Sequence, residues 1–346
     1  MSEREKNQVI NLSKKAYYLL SKKRYRDAEQ TFLEGLSCDK NNSFILVGLG
    51  HVYRELGNYL ESIRYYEQIL QLEPENIFAL KGIGHAYRGL QDYEKTKEFW
   101  RRMLAIDDSD YHMMVRLADI LKKTSEIDEA KSFYLRALKV DPRDKYGNLG
   151  LGGLYYKTGE EEACLDCLEK FLAHDDHNVA VLTMIGNIHQ RNKHFDKAIE
   201  FFKRVIDIEP GNGYALYGLG NCYRGLQNYD QSVFWWLKVL ETEIDNQGLH
   251  TRVGDAFMHL GKYDNAQHHY ERSLEISYDT YAWLGLSRIH ELRASYEEAE
   301  TCCQEVLGKH PGHFRALEQL ASIYSAQGLV SKAQHIKDTI VSQLPG

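Results

Sequence analysis

The sequence predicts an all-α solenoid of stacked antiparallel helix pairs, and three observations predict it. The five prolines, Pro74, Pro142, Pro210, Pro311 and Pro345, share one register: successive members stand two, two, nearly three and one periods apart, the period being the step from Pro311 to Pro345. Small residues keep the same register on two lines: Ala16, Gly50, Gly84, Ala118, Gly152, Gly186, Gly220, Gly254, Ser287, Ala321, and Ala28, Ser62, Thr96, Ala130, Cys164, Ala198, Ser232, Ala266, Ala299, Ala333. Four residues after the second line stands a large side chain: Phe32, Tyr66, Trp100, Tyr134, Leu168, Phe202, Trp236 and Tyr270. A recurrence at this period over a whole chain marks a repeat architecture.

Ten repeats follow, beginning at Val9, Ser43, Ile77, Tyr111, Lys145, Val179, Gly213, Gln247, Thr280 and Phe314, so that residues 9–346 form one solenoid and 1–8 an N-terminal extension. Within each repeat, counted from its first residue, positions 4, 7, 8 and 11 fall on one helical stripe; in the second these are Leu46, Leu49, Gly50 and Tyr53. A short turn such as "LGNY" or "LQDY" comes next. A second apolar stripe at positions 20, 24 and 27 gives the second helix. Small residues at 8 and 20 let the two helices approach, and the ring at 24 fills the space beside them. The prolines all fall at position 32, where one helix must end before the next begins. One hairpin cannot bury both of its faces, so each must stack on its neighbours. Lys15 and Lys337 stand where apolar residues belong in the first and last repeats, as expected of ends that meet water.

Composition narrows the function. The chain has 346 residues, 43% hydrophobic and 27% charged, with net charge −7, which argues against general nucleic-acid binding. The opening "MSEREKNQVINLSKK" has no signal-peptide core, and runs such as Phe44–Gly50 are too short to cross a membrane, so a cytoplasmic protein is expected. The six cysteines form no disulfide framework, and Cys164 and Cys167 make a single CxxC without a second, so neither metal nor cofactor is expected. Neither a G-x-S-x-G elbow nor a P-loop is present, and the repeats take up the sequence; an enzyme is the least favoured reading.

Small-8, Tyr-11, Ala-20, aromatic-24 and Pro-32 at this period resemble the tetratricopeptide repeat, from Val9 to the C-terminus. The third, fifth, seventh and eighth repeats are among those that lack the proline, and the ninth has Cys303 where the ring belongs. The resemblance implies a right-handed superhelix whose first helices line a concave groove. Positions 2, 5, 9, 12 and 13 lie opposite the packing stripe and would face that groove.

Those positions supply rings (Phe44, Phe78, Tyr146, Tyr214, Tyr217), polar groups (His51, His85, Asn187, Asn221) and cations (Arg54, Lys81, Arg88, Lys122, Arg224) as the candidate site. Counting positions 12 and 13, the second to seventh repeats each offer a cation, with Lys123, Lys157 and Arg191 completing the set. The ledge is expected to end there. Such a surface suits an extended, partly acidic peptide, because guanidinium groups fork onto carboxylates. The plainer reading is that these are solvated charges, with Lys157, Asn187, Asn221 and the run Asn42, Asn76, Asn178, Asn212, Asn246 as family background. Lys81 with His85 matches only half of the lysine–asparagine pair of the family's chaperone-tail clamps.

The expected function is a non-enzymatic protein-interaction scaffold, with self-association into homo-oligomers as the alternative. Two details stand out. "GIGHAYRGLQDY" at Gly82–Tyr93 returns four repeats further on as "GLGNCYRGLQNY" at Gly218–Tyr229, and packing explains most of the match, leaving Arg88 and Arg224 over. The eighth repeat, Gln247–Asp279, is shorter than the others by a single position and has Tyr278 in place of proline, which predicts altered stacking near Ile276–Tyr281.

Overall fold

The structure, a computed structural model, describes residues 2–343; Pro345 of the proline register lies outside them. Two compact halves divide the chain, one ending at Asp176 and the other beginning at His177. The N-terminal half pairs α1 (Glu3–Ser21) with α2 (Tyr25–Cys38), α3 (Ser43–Glu55) with α4 (Tyr59–Leu72), and α5 (Ile77–Gly89) with α6 (Tyr93–Ile106). It continues with α7 (Tyr111–Lys123) and α8 (Ile127–Val140), then α9 (Lys145–Thr158) and α10 (Glu161–Leu172). The C-terminal half pairs α11 (Val179–Arg191) with α12 (Phe195–Ile208), α13 (Gly213–Gly225) with α14 (Tyr229–Leu240), and α15 (Gln247–His259) with α16 (Tyr263–Ile276). It closes with α17 (Thr280–Leu292), α18 (Tyr296–Lys309), α19 (Phe314–Ala326) and α20 (Val330–Gln343). Among the described residues there is no strand, and each half is an all-α stack of successive hairpins.

The helix starts explain the asparagine run. Asn42, Asn76, Asn178, Asn212 and Asn246 each cap a first helix, the side chain accepting from the backbone N–H three residues on. Asp110, Asp144 and Asp279 do the same for α7, α9 and α17. Such a cap satisfies one of the four N–H groups a helix leaves open. The expected extension at 1–8 is already helix from Glu3, started by a capping box between Ser2 and Glu5.

Each hairpin turns through one residue with positive φ at position 15: Lys23, Gly57, Gln91, Ser125, Gly159, Lys193, Gln227, Gly261, Ala294 and Gly328. Six of the ten are not glycine, so the packing of the two helices holds a backbone that an L side chain disfavours.

Packing inside a hairpin is polar as well as steric. Ser62, Cys164 and Ser232 at position 20 donate to the carbonyls of Gly50, Gly152 and Gly220 at position 8, at 2.6, 3.2 and 2.8 Å. Cys164 is therefore a short helix contact, and its CxxC partner Cys167 is buried, with burial pushing its thiol up to about 11. The position-24 ring then wedges between two backbones. A Cβ on Gly50 or Gly82 would enter the Tyr66 ring, one on Gly186 or Gly218 the Phe202 ring, and one on Gly254 or Gly285 the Tyr270 ring. The glycines at position 6 are thus seats for the ring of the preceding repeat. Trp100, Trp236, Tyr134, Tyr270, Phe32 and Phe202 are among the largest fully buried side chains, each worth about 3–5 kcal/mol against truncation to alanine.

The short eighth repeat loses its residue from the loop, which has three residues, 277–279, where 73–76 has four. Asp279 ties the junction together. Its Oδ1 accepts from the N–H groups of Tyr281 (2.8 Å) and Ala282 (3.2 Å), and its Oδ2 from the hydroxyls of Thr251 (2.6 Å) and Ser273 (3.2 Å). Lys309 Nζ lies 3.7 Å from the centre of the Tyr278 ring, where a proline would have stood.

Candidate interaction surface

The repeated arginine occupies the last turn of α5 and of α13, where a cation also meets the helix dipole favourably. Arg88 lies over the Trp100 ring with its guanidinium carbon 5.9 Å from the centroid; Arg224 lies over Trp236 at 6.0 Å. The indole is part of the packed core, so the core aims the arginine.

The repeats after these two depart from the glycine rule. Position 6 holds Arg116 and Arg252 instead of glycine, and position 9 holds Asp119 and Asp255. Each aspartate is held by the position-24 tyrosine of its own repeat: Tyr134 donates to Asp119 Oδ1, and Tyr270 to Asp255 Oδ1 at 2.7 Å.

These side chains line cavities. In the C-terminal half, Arg224, Arg252, Arg288 and Arg315 surround a cavity of about 680 Å³ together with Asp255, Tyr229 and Tyr281. In the N-terminal half, a cavity of about 430 Å³ is lined by Arg54, Glu55, Tyr59, His85, Arg88, Gly89 and Arg116. A second, of about 540 Å³, shares His85, Arg88 and Arg116 and adds Lys81, His112, Asp119 and Tyr146. Among the described residues, Arg88, Arg116, Arg224, Arg252, Arg288 and Arg315 form no ion pair, whereas Arg54 is 3.0 Å from Glu55. The unneutralised charge is felt locally. Burial pushes His85 down to about 3, and Arg54, Arg88, Arg116 and Lys81 add to the shift. Burial, then Arg116 and Arg54, hold Arg88 below the usual arginine range.

The residues expected from sequence sort into three groups. Arg54, Lys81, His85, Arg88 and Tyr146 come together around the two N-terminal cavities, and Arg224 joins the C-terminal one. Phe44, Phe78 and Tyr214 are exposed on the first helices beyond these cavities. The rest are engaged in packing or local pairing. His51 pairs with Glu55 at 3.4 Å, Lys122 reaches the Gly150 carbonyl at 3.4 Å, and Tyr217 lies under Arg252 at 5.8 Å. Asn187 is half-buried, and the Asn221 carbonyl oxygen is buried without a hydrogen-bond donor.

Two expectations are refined. Position 13 is exposed, yet two of its side chains are taken up by neighbouring rings: Lys123 bonds the Tyr93 hydroxyl at 2.6 Å, and His259 stacks on Tyr229 at 4.3 Å, each the position-17 ring of the preceding repeat. The basic surface also does not end with the seventh repeat, because Arg252, Arg288 and Arg315 carry it on from positions 6, 9 and 2. Arg116 and Arg252 were legible as breaks in the position-6 glycine line.

Hairpins in tandem with a variable charged face define a helical-repeat scaffold. Sequence models of the tetratricopeptide repeat match residues 43–76, 111–144, 189–235 and 253–314, and the chain belongs to the tetratricopeptide repeat family. No curated protein sequence matches the chain. Among solved structures, YrrB, described as a TPR protein with an unusual peptide-binding site, is 18% identical over 54% of this chain and 95% of its own, with a TM-score of 0.49. MamA is 22% identical over 49% and 93%, with a TM-score of 0.46. A tetratricopeptide repeat protein from Parabacteroides merdae is 16% identical over 71% and 98%, with a TM-score of 0.47. Among the described residues, no helix is long and apolar enough to cross a membrane.

Proposed function

We propose that the chain is a protein-interaction scaffold that holds an extended, partly acidic peptide segment of a partner along its first helices. Repeat-family membership supports the scaffold role. The observation that carries the acidic character is the set of arginines without ion pairs, lining cavities beside exposed rings. An arginine left unpaired beside an aromatic ring offers a planar fork for a carboxylate and rigid contact area for an apolar neighbour.

Selection of a random peptide library on the whole chain tests this reading. Enrichment of sequences that combine acidic with aromatic or aliphatic residues is expected, and a parallel selection on R88A/R224A should lose the acidic bias. Failure to enrich any sequence would remove the peptide-scaffold reading; enrichment of neutral or basic sequences would remove the acidic one.

A further inference from the structure

We infer that each half carries its own receptor for an acidic side-chain cluster, so that one chain holds two acidic segments at a time. This rests on the peptide-scaffold reading and goes beyond it in number, place and chemistry.

The echo between the third and seventh repeats extends well past twelve letters. Arg88 over Trp100 is repeated by Arg224 over Trp236, and Arg116 by Arg252. The Tyr134–Asp119 bond is repeated by Tyr270–Asp255. Tyr146 and Tyr281, both exposed, stand at position 2 of the following repeat and line the corresponding cavities. One set lies wholly before Asp176 and the other wholly after His177. The fifth and sixth repeats between them have Gly150, Gly153 and Tyr156, then Met184, Asn187 and Gln190, at positions 6, 9 and 12. No charge stands at these positions, and the Gln190 amide is already spent on the Gly218 carbonyl at 3.0 Å. At these positions the arginines therefore fall into two sets, one in each half.

Each patch is short of negative charge. In the C-terminal patch the arginine pair shares its cavity with Asp255 alone, already accepting from Tyr270; in the N-terminal patch it shares its cavity with Asp119, accepting from Tyr134, and Asp144, accepting from the Gly147 N–H, and none of these makes an ion pair with either arginine. An incoming carboxylate would relieve the repulsion between the two guanidinium groups and receive forked hydrogen bonds. The exposed tyrosine on the rim offers its face to an apolar side chain next to the acid. The occupant is thus a segment of a partner protein with carboxylates close to an aromatic or aliphatic residue. In the C-terminal half, Arg288 and Arg315 add two further cations, which makes that receptor the tighter.

Calorimetric titration of the whole chain decides the matter, with a glutamate-rich dodecapeptide containing two phenylalanines as probe and its glutamine counterpart as control. Two equivalents should bind, the glutamine peptide at least about tenfold more weakly. R88Q/R116Q and R224Q/R252Q should each leave one equivalent, and the four changes together none. R116K/R252K, which keep the charge but lose the fork, should keep both equivalents at lower affinity; thermal melts report that each variant is folded. A single equivalent on the unaltered chain, loss of both by either pair, or binding only of a phosphorylated peptide would overturn the inference. In the first two cases the scaffold reading survives, because a peptide still binds. No binding of the probe overturns the inference, and the library selection then decides the scaffold reading separately.

Discussion

Arg88 is aimed by Trp100: its guanidinium carbon lies 5.9 Å from the centre of a ring that is itself fully buried. Core and surface are coupled at this point. The ring fixes the stem of a side chain whose head stays uncompensated.

That coupling should be weak in stability. Replacing Arg88 by alanine should lower unfolding free energy by no more than about 1 kcal/mol, the value of an exposed cation–π contact. Urea unfolding measures this. A loss well above that figure would make the arginine a structural residue.

The indole seat gives the opposite pattern. A Cβ on Gly84 would fall inside the Trp100 indole, while one on Gly153 meets nothing within 4 Å. Gly84→Ala should destabilise by about 1–3 kcal/mol through overpacking. Gly153→Ala should stabilise by up to about 1 kcal/mol through helix propensity. Equal effects in thermal melts would contradict the packing described.

The hairpin turns hold a backbone that only some residues tolerate. Gly57 has φ 76° and Ala294 has φ 58°. Gly57→Ala should cost about 1 kcal/mol, and Ala294→Gly should return part of a similar amount, because the left-handed region penalises a Cβ. Chemical denaturation of the two single variants checks the opposite signs.

Two histidines make the fold acid-sensitive. His250 Nδ1 and His269 Nδ1 are 2.9 Å apart, with His250 Nε2 2.9 Å from the Ile244 carbonyl oxygen. Burial pushes His269 down to about 4, with His250 and His268 adding to it; His85 is pushed down to about 3. Both are neutral when folded, whereas the unfolded chain takes up their protons near pH 6.5. Their contribution is therefore complete above pH 6.5 and declines as pH falls through the interval down to about 4 for His269 and about 3 for His85. Urea midpoints should fall across that interval, and more shallowly in the H85N/H269N variant. Parallel slopes would show that other groups govern the acid limb.

Much of the fold was legible because it obeys a period. Which residues are small, which are rings and where each helix stops are set by contacts that recur once in every repeat, so the register of prolines and small residues located the hairpins. The asparagine run belongs to the same logic; it looked like background because a cap is recognised only once the helix start is known. The packing share of the twelve-letter echo was readable in the same way.

Charge was different. Arg54, Lys81, Lys122, Lys123, Arg88 and Arg224 look alike in sequence, yet only the last two have neither an ion pair nor a polar partner among the described residues. The groups that occupy Lys81, Lys122 and Lys123 come from other helices or their caps, far away along the chain. Arg252, Arg288 and Arg315 reach one cavity from three successive repeats. Burial follows from a side chain's place on its own helix, which the sequence states directly. Whether a charge is left over depends on which carboxylate or carbonyl the neighbouring hairpin brings within hydrogen-bond reach, and only the folded stack decides that.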